Sequence, residues 1–174
     1  MNDTYTGAIS LSIFGESHGP AVGATLSGLA AGVPVDEAYI AREMDKRRAA
    51  GKLSTKRTEP DKVHFLSGVY RGFTTGTAVT LVIENTNTRS EDYAKTQDLL
   101  RPGHADWTAH LKYRGFQDAR GGGHFSGRLT APLVAACAIL KQMLEKRGVV
   151  IGTHLAQCAG VEDEPLAPGG EGLA

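Results

Sequence analysis

Glycine punctuates this chain: 22 of its 174 positions carry it, in clusters that cut the sequence into short pieces. A glycine reaches positive φ and lets backbone approach a ligand closely, at an entropic cost. The distribution therefore favours short elements joined by tight, shaped loops. Residues 20–34, PAVGATLSGLAAGVP, hold five glycines and prolines in 15 positions and read as a strand followed by a loop. Ahead of them, SLSIF at 10–14 alternates apolar and small polar side chains as a strand does. Between the two lies GESHG, residues 15–19, which fits the G-x-S-x-G pattern of a hydrolase nucleophile. That motif needs a sharp turn from strand into helix. A breaker-rich run follows here instead, so Ser17 is read as shaping its loop, and His18 beside it becomes the candidate.

The remaining elements follow from periodicity. Asp36 caps a helix whose apolar face is Ala38, Ile40, Ala41 and Met44. Val63, Phe65, Val69 and Tyr70, then residues 78–83, predict two strands of a meander joined by RGFTTGT. Residues 104–114 predict a short helix and residues 129–147 a longer one that Gly148 stops. Residues 149–156 read as one more strand, and residues 162–174, acidic and rich in breakers, as a loop or frayed end. The fold class is α+β in one domain spanning 1–174, since the strands group early and the regular alternation of a doubly wound sheet is missing.

A hydrophobic content of 41% and a charged content of 22% are those of an ordinary soluble domain. Lys plus Arg and Asp plus Glu are both 19, which argues against nucleic acid or a membrane surface as partner; any anion site must be a local cluster. The longest apolar run, near 131–140, is too short to cross a bilayer, and the cytoplasm is the default location. Cys137 and Cys158 lie among apolar residues without a CxxC partner, so buried free thiols are expected.

Three features can carry chemistry. His18, His104 and His124 each sit in a glycine-flanked loop, where backbone freedom and exposure suit a proton donor near neutral pH. The run RGGGHFSGR, leading into a helix, is a candidate cradle for an anion, although Arg128 and Leu129 stand where a P-loop needs Lys-Ser/Thr. Residues 46–57 hold six cations and no acid, a cluster that suits a small, multiply charged anion such as a phosphate ester. Spacings for a metal site are missing: the sequence has no HExxH and no CxxC.

Together, FGESHG, Asp45-Lys46-Arg47-Arg48, RTEPDKV (57–63), LSGVYRGFTTGT (66–77), IENTNTRSEDY (83–93), RPGHAD (101–106) and the glycine-rich run 118–131 resemble, in order, the N-terminal half of chorismate synthase. The resemblance implies a β-α-β sandwich, first half only, in a homotetramer. It implies a lyase that converts 5-enolpyruvylshikimate 3-phosphate to chorismate with reduced FMN, with NADPH left open as the reductant. By the same resemblance, His18 protonates the departing phosphate and His104 serves the flavin. Arg47, Arg48, Lys52 and Arg128 bind the substrate, and His124, Phe125 and Ser126 contact the flavin. The sequence departs from the family in having His124-Phe125 and Lys52 where arginine and serine are common. Family members are about twice as long, which keeps a non-catalytic FMN or phosphorylated-ligand binding module as the alternative.

Overall fold

The computed structural model describes residues 3–48, 60–86, 99–165 and 167. It divides into two compact units, Met1–Ile139 and Leu140–Ala174. In the first, a mixed fold of helix and antiparallel sheet is built on five strands in the order β1-β2-β3-β7-β4. These are β1 (Thr4–Tyr5), β2 (Ser10–Gly15), β3 (Ala21–Ser27), β4 (Val63–Ser67) and β7 (Val79–Glu84), all paired antiparallel. β5 (Val69–Tyr70) and β6 (Phe73–Thr74) form a separate small hairpin between β4 and β7. The expected meander is thus a β4–β7 pair with a hairpin inserted at its turn.

The register explains the core. Leu26 faces Val79, Ala24 faces Leu81 and Val22 faces Ile83, and all six side chains are buried. Alternation along β3 and β7 puts these residues on one face. Helix α1 (Glu37–Arg47) starts where Asp36 Oδ1 accepts from the Tyr39 N–H at 3.0 Å. It buries Ile40 and Met44, while Ala38 and Ala41 stay exposed, so its apolar stripe is narrower than the sequence suggested. Helix α2 (Asp106–Tyr113) begins two residues later than expected, after a turn at 101–104.

Helix α3 (Thr130–Glu145) presents Ala131, Ala135, Ala138 and Ile139 at helical spacing, all buried. Gly148, at φ 77°, ends it, with the Val149 N–H returning to the Leu144 carbonyl at 3.0 Å.

In the second unit, residues 149–156 form no strand. Val150, Ile151 and Leu155 are exposed, and among the described residues only a short hairpin follows, β8 (Gln157–Cys158) with β9 (Val161–Glu162). A β-branched run becomes a strand only where a neighbouring strand pairs with it. Glu162, at the edge of the stretch read as loop, closes that hairpin. Both cysteines are free and exposed, not buried; Cys137 lies on α3 outside its alanine stripe. No helix is long and apolar enough to cross a membrane among the described residues.

Candidate functional site

The loop joining β2 to β3 carries Ser17 and His18 into the interior, where they are 0% and 8% exposed. Ser17 Oγ lies 3.1 Å from the Gly121 carbonyl, 3.3 Å from the Arg120 carbonyl and 3.1 Å from His18 Nδ1. Its backbone N–H donates to the Gly123 carbonyl at 3.1 Å. A hydroxyl has one proton to give. Donated to the carbonyls, it leaves Oγ to accept from His18 Nδ1–H. The serine is therefore a buried tie between two loops, and β3, not a helix, follows it.

The glycine triplet is shaped by the histidines. Gly121, Gly122 and Gly123 all have positive φ, at 58°, 88° and 53°. A Cβ at 121 would stand 2.1 Å from His18 Cε1, and one at 122 would stand 2.9 Å from His104 Nε2. Only glycine meets both demands. The triplet thus passes between the two candidate acid groups. It does not sit on the N-terminus of α3 as the sequence suggested: two 3-10 turns, Arg120–Phe125 and Gly127–Leu129, intervene. Ser126 caps the second, accepting from the Arg128 N–H.

His104 closes the turn before α2. Its Nδ1 lies 2.7 Å from Asp106 Oδ1, and Asp106 also accepts from Arg101 Nε at 2.8 Å and Nη2 at 2.9 Å. The Arg101 fork, above all, holds the Asp106 carboxyl well below the usual carboxylate range. Asp118 is held low in the same way, first by Arg120, with His18 adding a smaller pull. His124 donates from Nδ1 to the Gly15 carbonyl at 2.8 Å, so one ring nitrogen serves the β2–β3 loop.

Phe125, 6.0 Å from the Tyr113 ring, lines two cavities. One of about 430 Å³ also meets Phe14, Glu16 and His124. Another of about 390 Å³ meets Arg101, Asp106 and Gly122. Gln117 borders both, and its buried Oε1 has no hydrogen-bond partner among the described residues.

The arginines gather elsewhere. Asp61, 5% exposed and with φ 48°, takes Arg47 Nη1 at 3.0 Å on Oδ2 and Arg128 Nη1 on Oδ1. Arg128 spends its other nitrogens on Asn85 Oδ1 at 2.8 Å and the Glu84 carbonyl at 3.1 Å. Asn85 in turn donates to the Glu16 and Gly19 carbonyls at 2.9 and 2.8 Å, which ties this node to the His18 loop. Burial pushes the Arg47 guanidinium below its usual range, with Asp61 opposing. Arg48 is exposed and bonds Asp45 and the Pro60 carbonyl. Lys52 lies outside the described residues.

The structure thus joins His18, His104 and the glycine loop, with Phe125 beside them, and places Arg47 and Arg128 on a buried carboxylate. Asp61, Asn85, Arg101, Asp106 and Gln117 were given no role from sequence. The first four stand inside the quoted motifs, which was the available signal, and nothing in the sequence marked Gln117.

A family model for chorismate synthase matches residues 9–168. The chorismate synthase of Aeropyrum pernix is 50% identical over 152 residues, 87% of this chain and 40% of that relative. The one from Sulfurovum is 47% identical over 161 residues, 92% of this chain and 45% of the relative. A crystal structure of a chorismate synthase aligns with TM-score 0.56 and 28% identity, over 80% of this chain and 35% of that one. The chain spans less than half the length of these relatives, and over nearly all of its own length it belongs to the chorismate synthase family.

Proposed function

We propose that this chain carries part of the active site that converts 5-enolpyruvylshikimate 3-phosphate to chorismate and phosphate by 1,4-anti elimination. The allylic C3–O bond breaks, a C6 proton leaves, and the redox state of the organic product is unchanged. The observation that supports it is the glycine triplet pressed between His18 and His104, which brings two histidines from separate loops to one backbone stretch. A positioned histidine acid is worth about 10²- to 10⁴-fold in rate. His18 protonates the departing phosphate, and His104 serves the cofactor side.

The aromatic wall of Phe125 and Tyr113 and Gln117 Oε1, an acceptor without a partner among the described residues, fit a flavin, a flat heterocycle with a ring N–H to donate. When bound there, reduced FMN would supply electron density for the elimination without net oxidation. His124, Phe125 and Ser126 contact it; His124 and Phe125 line one cavity, and Ser126 caps the turn beside them. Arg47, Arg48 and Lys52 grip the phosphate, Arg47 exchanging part of its bond with Asp61. Arg128, with its nitrogens partnered inside, acts on the substrate through Asp61. The β-α-β sandwich, the tetramer, the cytoplasmic location and NADPH as source of electrons belong to the same reading.

The test is phosphate release with reduced FMN, measured in the Aeropyrum pernix relative after residues 9–168 replace its matching segment. Turnover is expected, with His18→Ala and His104→Ala each lowering it by about a hundredfold or more. A folded chimera that binds reduced FMN and releases no phosphate would make the chain a binding module.

A further inference from the structure

Around Asp106 the donors are arranged in order. Oδ2 accepts from the Arg101 backbone N–H at 2.9 Å and from Arg101 Nε at 2.8 Å, while Oδ1 accepts from Arg101 Nη2 at 2.9 Å. His104 Nδ1 completes the set, 2.7 Å from Oδ1. Arg101 Nη2 also lies 3.2 Å from His104 Nδ1. Guanidinium is always a donor, so that contact is a hydrogen bond only if Nδ1 is bare. A bare Nδ1, however, would set its lone pair against a carboxylate oxygen at the shorter distance. The carboxylate, an acceptor on every lone pair when ionised, decides the competition.

We propose that Asp106, clamped by Arg101, is a positioning residue that fixes the His104 proton on Nδ1 and leaves Nε2, the nitrogen facing Gly122, to exchange protons with a bound ligand. The hydrogen bond made by one ring nitrogen sets the state of the other. Here the clamp is built from three residues of one turn, which needs no ligand to assemble. The identity of the ligand rests on the function proposed above; the tautomer does not.

The chain labelled with ¹⁵N-histidine, its rings kept neutral, reports the tautomer directly in a long-range ¹H–¹⁵N spectrum. The His104 ring is assigned by its loss in His104→Gln. Wild type is expected to show a protonated Nδ1 and a bare Nε2. In Asp106→Asn the two Arg101 donors on Oδ2 hold the carboxamide oxygen there and turn its NH₂ toward Nδ1. Two donors cannot face each other, so the proton moves to Nε2 and the two signals exchange type. Asp106→Glu, which restores an acceptor, returns the proton to Nδ1. A wild-type ring protonated on Nε2 overturns the proposal, as does Asp106→Asn that keeps native backbone amide shifts and a protonated Nδ1. Should Asp106→Asn not fold, the wild-type spectrum alone decides. Because the spectrum is read without substrate, a tautomer that exchanges beside a folded chimera that releases no phosphate upholds the clamp and removes the lyase reading instead.

Discussion

Gly121 answers to two neighbours at once: the hypothetical Cβ stands 2.1 Å from His18 Cε1 and 2.9 Å from Ser17 Oγ, at φ 58°. Neither is an exposed chain end that can swing away, since both residues are buried. Gly121→Ala is therefore expected to displace His18 and to cost more than about 1 kcal/mol, read as a lower denaturation midpoint together with altered His18 ring signals. The two clamped carboxyls set a second expectation. Asp106 and Asp118 sit below their ordinary pKa in the folded chain. Each contributes stability that is fully present above the unfolded value of about 3.9 and is lost as pH falls through the lower folded value. Urea midpoints of wild type and Asp106→Asn should thus differ at pH 7 and converge toward pH 2. A gap that stays constant across that range would mean the carboxylate contributes through shape alone.

Between elements, the Asp61 node does the joining. It links the last turn of α1 through Arg47, the approach to β4, the end of β7 through Glu84 and Asn85, and the turn before α3 through Arg128. Arg47 Nε also donates to Thr130 Oγ1 at 3.1 Å, the first residue of α3. Breaking a buried ion pair leaves a charge uncompensated and costs about 3–5 kcal/mol. Asp61→Asn should lose that order of stability in a denaturation experiment. Arg48→Ala, whose partners are at the surface, should lose less than about 1 kcal/mol. The elements so joined were mostly legible in the sequence. Alternation announced β2, the breaker-rich run at 20–34 announced β3 and its loop, Asp36 announced α1, and Gly148 announced the end of α3, because each signal is local. The node was not legible: Asp61 stands inside a quoted motif, but its partners lie 14 and 67 residues away, and no local pattern links them. The strand expected at 149–156 failed for the reverse reason: its local pattern was right, and no neighbour among the described residues pairs with it.

For the molecule as a whole, the motifs made the family legible and the three glycine loops made the histidines legible, while the geometry that unites them is long-range. The β2–β3 hairpin pairs Gly15 with Val22 across a short turn, and β3 meets β7 with Leu26 against Val79. Ser17 reaches the Gly121 carbonyl across 104 residues. Closing a longer loop costs more chain entropy before any contact repays it. Chain entropy thus predicts an order of assembly in which the hairpin forms early, the sheet closes next, and the two histidines meet across the glycine loop last. Contacts absent from the rate-limiting barrier act on the speed of unfolding and not on the speed of folding. Ser17→Ala, which removes a buried hydroxyl from two part-buried carbonyls at a cost of about 1–2 kcal/mol, should therefore unfold roughly tenfold faster in stopped-flow denaturant jumps. Its refolding rate should match wild type within about twofold, the outcome expected of a contact made after the barrier; a refolding rate slowed as much as unfolding is speeded would reverse that order.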